Sequence, residues 1–441
     1  MIADFREKSF WLSQDPYEPT PPLQGPTRVD VAIVGGGFAG LSTAYFLRRA
    51  APSLRVAVLE AGVVGYGGSG RNAGFAMTLF GLSLPMTVAR FGRRRAMEAY
   101  RFMAGAVDHL QALIAEWGIA CDLEPNGFLR VATSRTQLRH LEHEHALAQR
   151  MGIEDLAFLD ASTVRQRVES PLYLGALFER RCALVNPARL TRGLKRIAQS
   201  AGAEIYEGTP VVALRRGARL RLDTPAGPVE TDKVVLATNA FSAAFAPLRS
   251  KQVPIFTHIV LTEPLDQARL SPIGWHRREG IEDSRNLIHY YRLTADNRLL
   301  MGGGDAHYYY NSGLGRESRP ATFAALEDYI GQVFPHLRGV RIGRRWGGPI
   351  SGTLDMTPGI GTFRSDRRIS YALGCMGHGV SLMPMAGQIP RDLVLERDTD
   401  LTRLFFVNRR VPPLPPEPFR FLVARSILGF MRWQDRRDER R

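Results

Sequence analysis

The chain has 441 residues, 44% of them hydrophobic and 23% charged, a composition that excludes an intrinsically disordered protein and supplies about two to three domain-sized cores. Its formal charge of +15 is almost all arginine, since Lys8, Lys195, Lys233 and Lys251 are the lysines; the arginines are scattered, so no nucleic-acid partner is expected, and the surplus reflects either composition or an affinity for acidic substrates or an anionic surface. Cys121, Cys182 and Cys375 have neither metal-ligand spacing nor an even count, the first residues lack the apolar core of a signal peptide, and no run reaches the ~18 apolar residues of a membrane span, so a cytoplasmic protein without a metal centre is expected.

A Pro-rich leader over 15–22 cannot be helical and is expected to run extended over the surface. Residues 31–34 then read as a short buried strand that turns into a helix through Gly35, Gly37 and Gly40, spaced G-x-G-x-x-G. Gly35 permits the tight turn, Gly37 lets a pyrophosphate approach the backbone, and Gly40 lets the helix lie close on the sheet. The helix N-terminus offers free N–H groups and a partial positive charge to phosphate. A second strand over 55–60 ends in Glu60, whose carboxylate can accept from both hydroxyls of a ribose and disfavours a 2′-phosphate. The spacing therefore predicts a dinucleotide site.

A second glycine-dense loop follows over 63–74, as expected where backbone passes close to something flat or bulky. The pattern next predicts a helix over 86–117 stopped by Gly118, and a strand over 127–132. Asn186 and Pro187 announce a helix as N-cap and N1, with Leu190, Leu194, Ile197 and Ala198 on one face and Gly202 ending it. Short strands are predicted at 204–206, 211–214 and 233–237, the last running into the small-residue turn 238–240, a place where a sheet meets a cofactor. From 250 to 341 mixed strands and aromatics suggest a separate substrate domain. A late strand over 369–373 ends at Gly374-Cys375-Met376-Gly377-His378-Gly379, and Leu382, Ala386, Ile389 and Leu393 mark the helix beyond it, which Pro390 should kink or end. After the stiff linker 412–416, Phe419, Leu422, Val423, Ile427 and Phe430 fall at helical spacing among arginines, a pattern that suits an anionic membrane or packing on the protein or a second subunit.

Taken together, V-G-G-G-F-A-G, the loop G-S-G-R-N-A-G, the N-P-A-R-L helix start and the late G-C-M-G-H-G resemble the FAD-dependent D-amino-acid-oxidase superfamily over roughly residues 9–396. Within it the chain is most similar to the γ-glutamylputrescine oxidases and related deaminating amine oxidases. The resemblance implies an α/β fold in which a discontinuous Rossmann-type FAD-binding domain (1–82, 181–250, 343–400) carries an inserted α+β substrate domain (83–180, 251–342), as in glutathione-reductase-like flavoproteins, with 401–441 as a basic tail. It implies that Gly35, Gly37 and Gly40 hold the FAD pyrophosphate and Glu60 the adenosine ribose, with Ser69, Arg71 and Asn72 near the phosphates or the ring. Val211 would meet adenine through its backbone, and Gly377, His378 and Gly379 would sit at the pyrimidine end of the isoalloxazine, where a helix N-terminus stabilises negative charge. His378 is either a flavin or substrate contact or a packing residue. Tyr290 and Tyr291 are candidates to line a desolvating pocket that lowers the pKa of a substrate ammonium, with Trp346 as a further candidate; core packing is the alternative for each.

Two departures bear on the activity. Sarcosine oxidases carry a lysine three residues after the histidine of this turn, where this chain has Ser381, and they use a lysine over the flavin to promote reaction with oxygen, whereas no lysine follows Lys251. No cysteine lies in 351–358, where that subgroup attaches its flavin, so noncovalent FAD is expected. The leading reading is an amine oxidase passing hydride from the C–H beside nitrogen to flavin N5, with imine hydrolysis and reoxidation by oxygen. A same-fold dehydrogenase passing electrons to a quinone or carrier, a noncatalytic flavin-binding protein, and, from the first motif alone, a nicotinamide dehydrogenase stay open.

Overall fold

The computed structural model describes residues 4–439. The glycine turn lies at the end of the central strand of an eight-stranded sheet whose order is Gly359–Phe363, Asp366–Leu373, Gly227–Leu236, Thr27–Val34, Val56–Leu59, Glu204–Tyr206, with Leu220–Thr224 hairpinned onto Gly227–Leu236 and Ala213–Arg215 onto Leu220–Thr224. The strands from Asp366–Leu373 to Glu204–Tyr206 are parallel. Their near-continuous apolar character follows from burial on both faces: Phe38–Ala50 and Pro187–Ser200 pack on one, while Leu220, Leu222, Phe245 and Leu248 cover the other. Thr27–Val34 lies between Val56–Leu59, the next strand in sequence, and Gly227–Leu236, which joins only much later in the chain, so the strand order switches direction here and a crevice opens where its carboxyl end meets the helix.

The second eight-stranded sheet runs Ile342–Gly352, Val253–Thr262, Leu299–Gly303, His289–Leu293, Gly280–Asp283, Phe128–Ala132, Gly175–Glu179, Leu156–Asp160. Alternation along its strands separates two faces. Val260, Tyr291, Leu293, Leu299 and Met301 pack under the helix Pro320–Val333, while Ile259, Leu261, Tyr290, Leu300 and Trp346 turn towards the loop 68–74 and the N-terminal Trp11. The strand Ile342–Gly352 pairs with Val253–Thr262 along nearly its whole length, so the domain boundary expected at 343 falls inside a strand of the second sheet.

Other expectations are corrected locally. The helix Leu84–Glu116 starts two residues early and is broken at Gly92, whose φ is 80°. The strand expected at 211–214 is Ala213–Arg215. The closing helix breaks at Gly387, into Gly379–Ala386 and Gln388–Val394, as expected from Pro390, which has no N–H for the Ala386 carbonyl four residues back and so falls in the first turn of the second piece. The extended leader is tied down by Glu207, which accepts from the Tyr17 hydroxyl and the Thr20 N–H at 2.7 Å each and pairs with Lys195 at 2.6 Å.

Candidate functional site

At the first turn, Gly37 is the extended N-cap of Phe38–Ala50. A Cβ on Gly40 would overlap the carbonyl oxygen of Gly35, and one on Gly37 would lie 2.8 Å from Ser69 Oγ. That oxygen accepts the Phe38 N–H at 3.1 Å, so the loop is docked on the helix start. Glu60 accepts the Gly36 N–H at 2.7 Å and the Gly62 N–H at 2.8 Å, one on each oxygen. Each oxygen retains a lone pair for a ribose hydroxyl. Burial raises the Glu60 pKa against the pull of these N–H donors. Val211 lies half-buried just before its strand, and the Val212 N–H is already committed to the Asp223 carbonyl at 2.9 Å.

The loop 68–74 is braced from outside. The indole N–H of Trp11 donates to the Asn72 carbonyl and that of Trp346 to the Arg71 carbonyl, both at 2.9 Å. Trp346 is therefore a clamp on the loop, 4% exposed. The Asn72 side chain is spent within the loop, donating to the Gly68 carbonyl at 2.9 Å and accepting the Gly74 N–H at 2.7 Å. Arg71 points towards the second sheet, donating to the Tyr66 carbonyl at 2.7 Å and to Glu317 at 2.6 Å, with Nη2 buried and unpartnered. Burial opposes ionisation of Glu317, but Arg71 and Lys8 outweigh it and hold the carboxyl below its ordinary value. Of the three polar residues expected near phosphates or ring, Ser69 reaches the phosphate turn, whereas Asn72 and most of Arg71 do structural work.

The late turn closes the crevice. Gly377 has φ 89°, and His378 is the N-cap of Gly379–Ala386. The His378 Nδ1 is buried without a partner, and burial pushes its pKa down to about 4, so the ring is neutral at physiological pH. Three successive residues of Ile342–Gly352 knit the parts together: Cβ atoms built on Gly348, Gly68 and Gly377 would lie 3.1 Å from Arg71 Cδ, 3.7 Å from the Pro349 carbonyl and 4.0 Å from Ile350 Cδ1. Asn239, in the turn after Gly227–Leu236, has φ 40° and a buried, unpartnered Oδ1, with its Nδ2 also beside Gly68. The sequence signal for that turn was its small-residue run after a buried strand; nothing in the spacing marked Gly348–Ile350.

Neighbouring tyrosines part company. Tyr290 lies on the face of the second sheet turned to the loop, against Phe75, and burial pushes its hydroxyl up to about 12, with the Thr257 side chain in hydrogen-bond reach. Tyr291 points the other way, fully buried beside Trp275 and Phe334, and shares a 2.7 Å hydrogen bond with Tyr173. It is a core residue and does not line the crevice. Ser381 is also fully buried and donates to the Met77 carbonyl at 2.7 Å, so it offers no carboxylate clamp. Cys375 is buried with its thiol pKa raised by burial.

Residues 30–393 match the family model described as FAD dependent oxidoreductase, DAO. The chain belongs to the DAO family. Among DAO-family relatives it is 32% identical over 398 residues to the gamma-glutamylputrescine oxidoreductase of Escherichia coli (strain K12), covering 89% of this chain and 90% of that one. It is 27% identical over 377 residues to the glycine oxidase of Bacillus licheniformis, covering 83% and 93%. The crystal structure of glycine oxidase from Geobacillus kaustophilus superposes with a TM-score of 0.71 at 23% identity, covering 87% and 99%. The chain is thus an FAD-dependent oxidoreductase of amines or amino acids, and the crevice suits the cofactor. A glycine cradle, an acid at the second strand's end and the unpartnered Asn239 Oδ1 and His378 Nδ1 in the turns beside it fit that group. Among the described residues no helix is long and apolar enough to cross a membrane.

Proposed function

We propose that the chain oxidises the C–H bond beside the nitrogen of a primary or secondary amine, with FAD bound noncovalently. Gly35, Gly37, Gly40, Glu60 and Ser69 hold the adenosine and pyrophosphate, while Gly377, His378, Gly379 and Asn239 border the isoalloxazine. Bound FAD supplies a two-electron acceptor for that C–H bond, and the imine released is hydrolysed by water. The observation that carries this reading is the neutral His378 at the start of Gly379–Ala386, with Nδ1 buried and unpartnered. The helix end it caps directs N–H groups and partial positive charge at the place where negative charge develops on reduction. Tyr290, a neutral and largely buried ring, lines the opposite side and excludes water, which lowers a substrate ammonium towards its reactive free amine.

An elongated amine of the γ-glutamylputrescine kind is the first substrate to test, because the relative of that name matches along nearly the whole chain. A dehydrogenase is the second reading, supported by the absence of any lysine after Lys251. Amine turnover followed in parallel by oxygen consumption and by a redox dye separates the two. Turnover with dye but not oxygen selects the dehydrogenase, equal rates select the oxidase, and no turnover of any amine with either acceptor rejects the proposal.

A further inference from the structure

The C-terminal helix Phe419–Glu439 docks with its polar side inward. Asp435 accepts the N–H groups of Asn286 and Leu287 at 2.8 and 3.0 Å, Arg432 pairs with Asp305 at 2.7 Å, and Glu439 pairs with Arg285 at 3.1 Å. Glu417, just ahead of the helix, accepts the N–H groups of Asn311 and Phe421 at 3.2 and 3.1 Å. The opposite face carries Phe419, Leu422, Val423, Ile427, Phe430 and Trp433, each between 39% and 61% exposed. A surface helix ordinarily turns its apolar stripe to the core. Here the stripe is presented outward on a helix anchored by ion pairs.

Charge selects the occupant. Three of the acids in this segment are turned inward onto partners, whereas Arg425, Arg436 and Arg437 are exposed beside the stripe, with Arg425 stacked on Phe421 and Arg437 on Trp433. Residues 401–441 hold ten arginines against four acids in a chain of formal charge +15. A second copy would bring like charge against like, while anionic headgroups meet the arginines as the apolar side chains enter the acyl boundary. The helix is not apolar enough to span a bilayer, and its aromatic Phe430 and Trp433 suit the interface. We propose that this helix seats the protein on an anionic bilayer surface, lying in the plane of the interface.

Flotation of the full-length holoprotein with phosphatidylcholine vesicles, with and without 30 mol% phosphatidylglycerol (about a third anionic lipid, within the range that attracts basic segments), tests this. The expected result is flotation with the anionic vesicles only, weakened by salt and reduced at least about tenfold in Phe430→Glu/Trp433→Glu. Flavin content and circular dichroism should be unchanged in that variant, because both side chains point to solvent. Failure to float with anionic vesicles, equal flotation on neutral ones, or undiminished flotation of the variant overturns the proposal. So does a concentration-dependent dimer in sedimentation velocity that the double substitution abolishes, which would give the stripe to a second copy.

Discussion

The Glu60 carboxylate accepts the Gly36 N–H at 2.7 Å, so the acid at the end of the second strand holds the turn that faces the pyrophosphate. One side chain thus orients the phosphate turn and presents its remaining lone pairs to the ribose. Glu60→Gln removes a charge-assisted acceptor, a loss of about 1.5–3 kcal/mol. The Kd for FAD should rise roughly 10- to 100-fold, read by titrating apoprotein with FAD and following flavin fluorescence. An unchanged Kd would remove Glu60 from the ribose site.

Gly37 and Gly40 should fail in different ways. A methyl on Gly40 overlaps the backbone of Gly35, which cannot retreat without parting helix from strand, and Gly40→Ala should cost at least about 3 kcal/mol of stability. The methyl of Gly37→Ala meets only the rotatable Ser69 hydroxyl. That variant should keep its melting temperature within a few degrees and purify with little flavin. Thermal unfolding and the flavin-to-protein ratio check both.

The two adjacent tyrosines give a paired test. Tyr291→Phe breaks the hydrogen bond to Tyr173, worth about 1 kcal/mol, and should lower stability while leaving flavin reduction by substrate unchanged. Tyr290→Ala opens the crevice to water and should slow reduction at least about tenfold. Equal effects in rapid-mixing kinetics would return both residues to the core.

A buried acid sets a pH trend. Glu282 faces Arg130 across paired strands, yet burial, opposed by Arg130 and reinforced by Asp283, Glu179 and Glu144, pushes its pKa from 4.5 up to about 8. The folded state therefore holds this proton more tightly than the unfolded one, and ionisation favours unfolding between those values. Stability contributed by the neutral acid is present below pH 4.5 and is lost as pH rises towards 8. Glu282→Gln should leave the melting temperature nearly unchanged at pH 4.5 and raise it by about 2–6 °C at pH 8, measured by calorimetry across that window.

The nucleotide half of the site was legible because its chemistry is local: three glycines, a strand before them, a helix after them and an acid at the next strand's end lie within residues 31–60. What escaped was set by partners distant in sequence. Tyr290 and Tyr291 alternate across a strand with apolar material on both faces, and Tyr173, 118 residues away, decides which is core. Arg71 is expected near the phosphates or the ring, and it is Glu317, 246 residues away, that takes up its guanidinium. The boundary expected at 343 falls inside Ile342–Gly352, because nothing local announces that Val253–Thr262 will pair with that stretch. The tail's helical spacing was plain, while the direction of its apolar face depended on Asn286 and Asp305.

The most direct test of the central claim is the absorbance spectrum of the purified protein, followed anaerobically as a panel of amines and amino acids is added. The account predicts a flavin band near ~450 nm that is bleached by at least one primary or secondary amine. A bound flavin that none of them bleaches would contradict it.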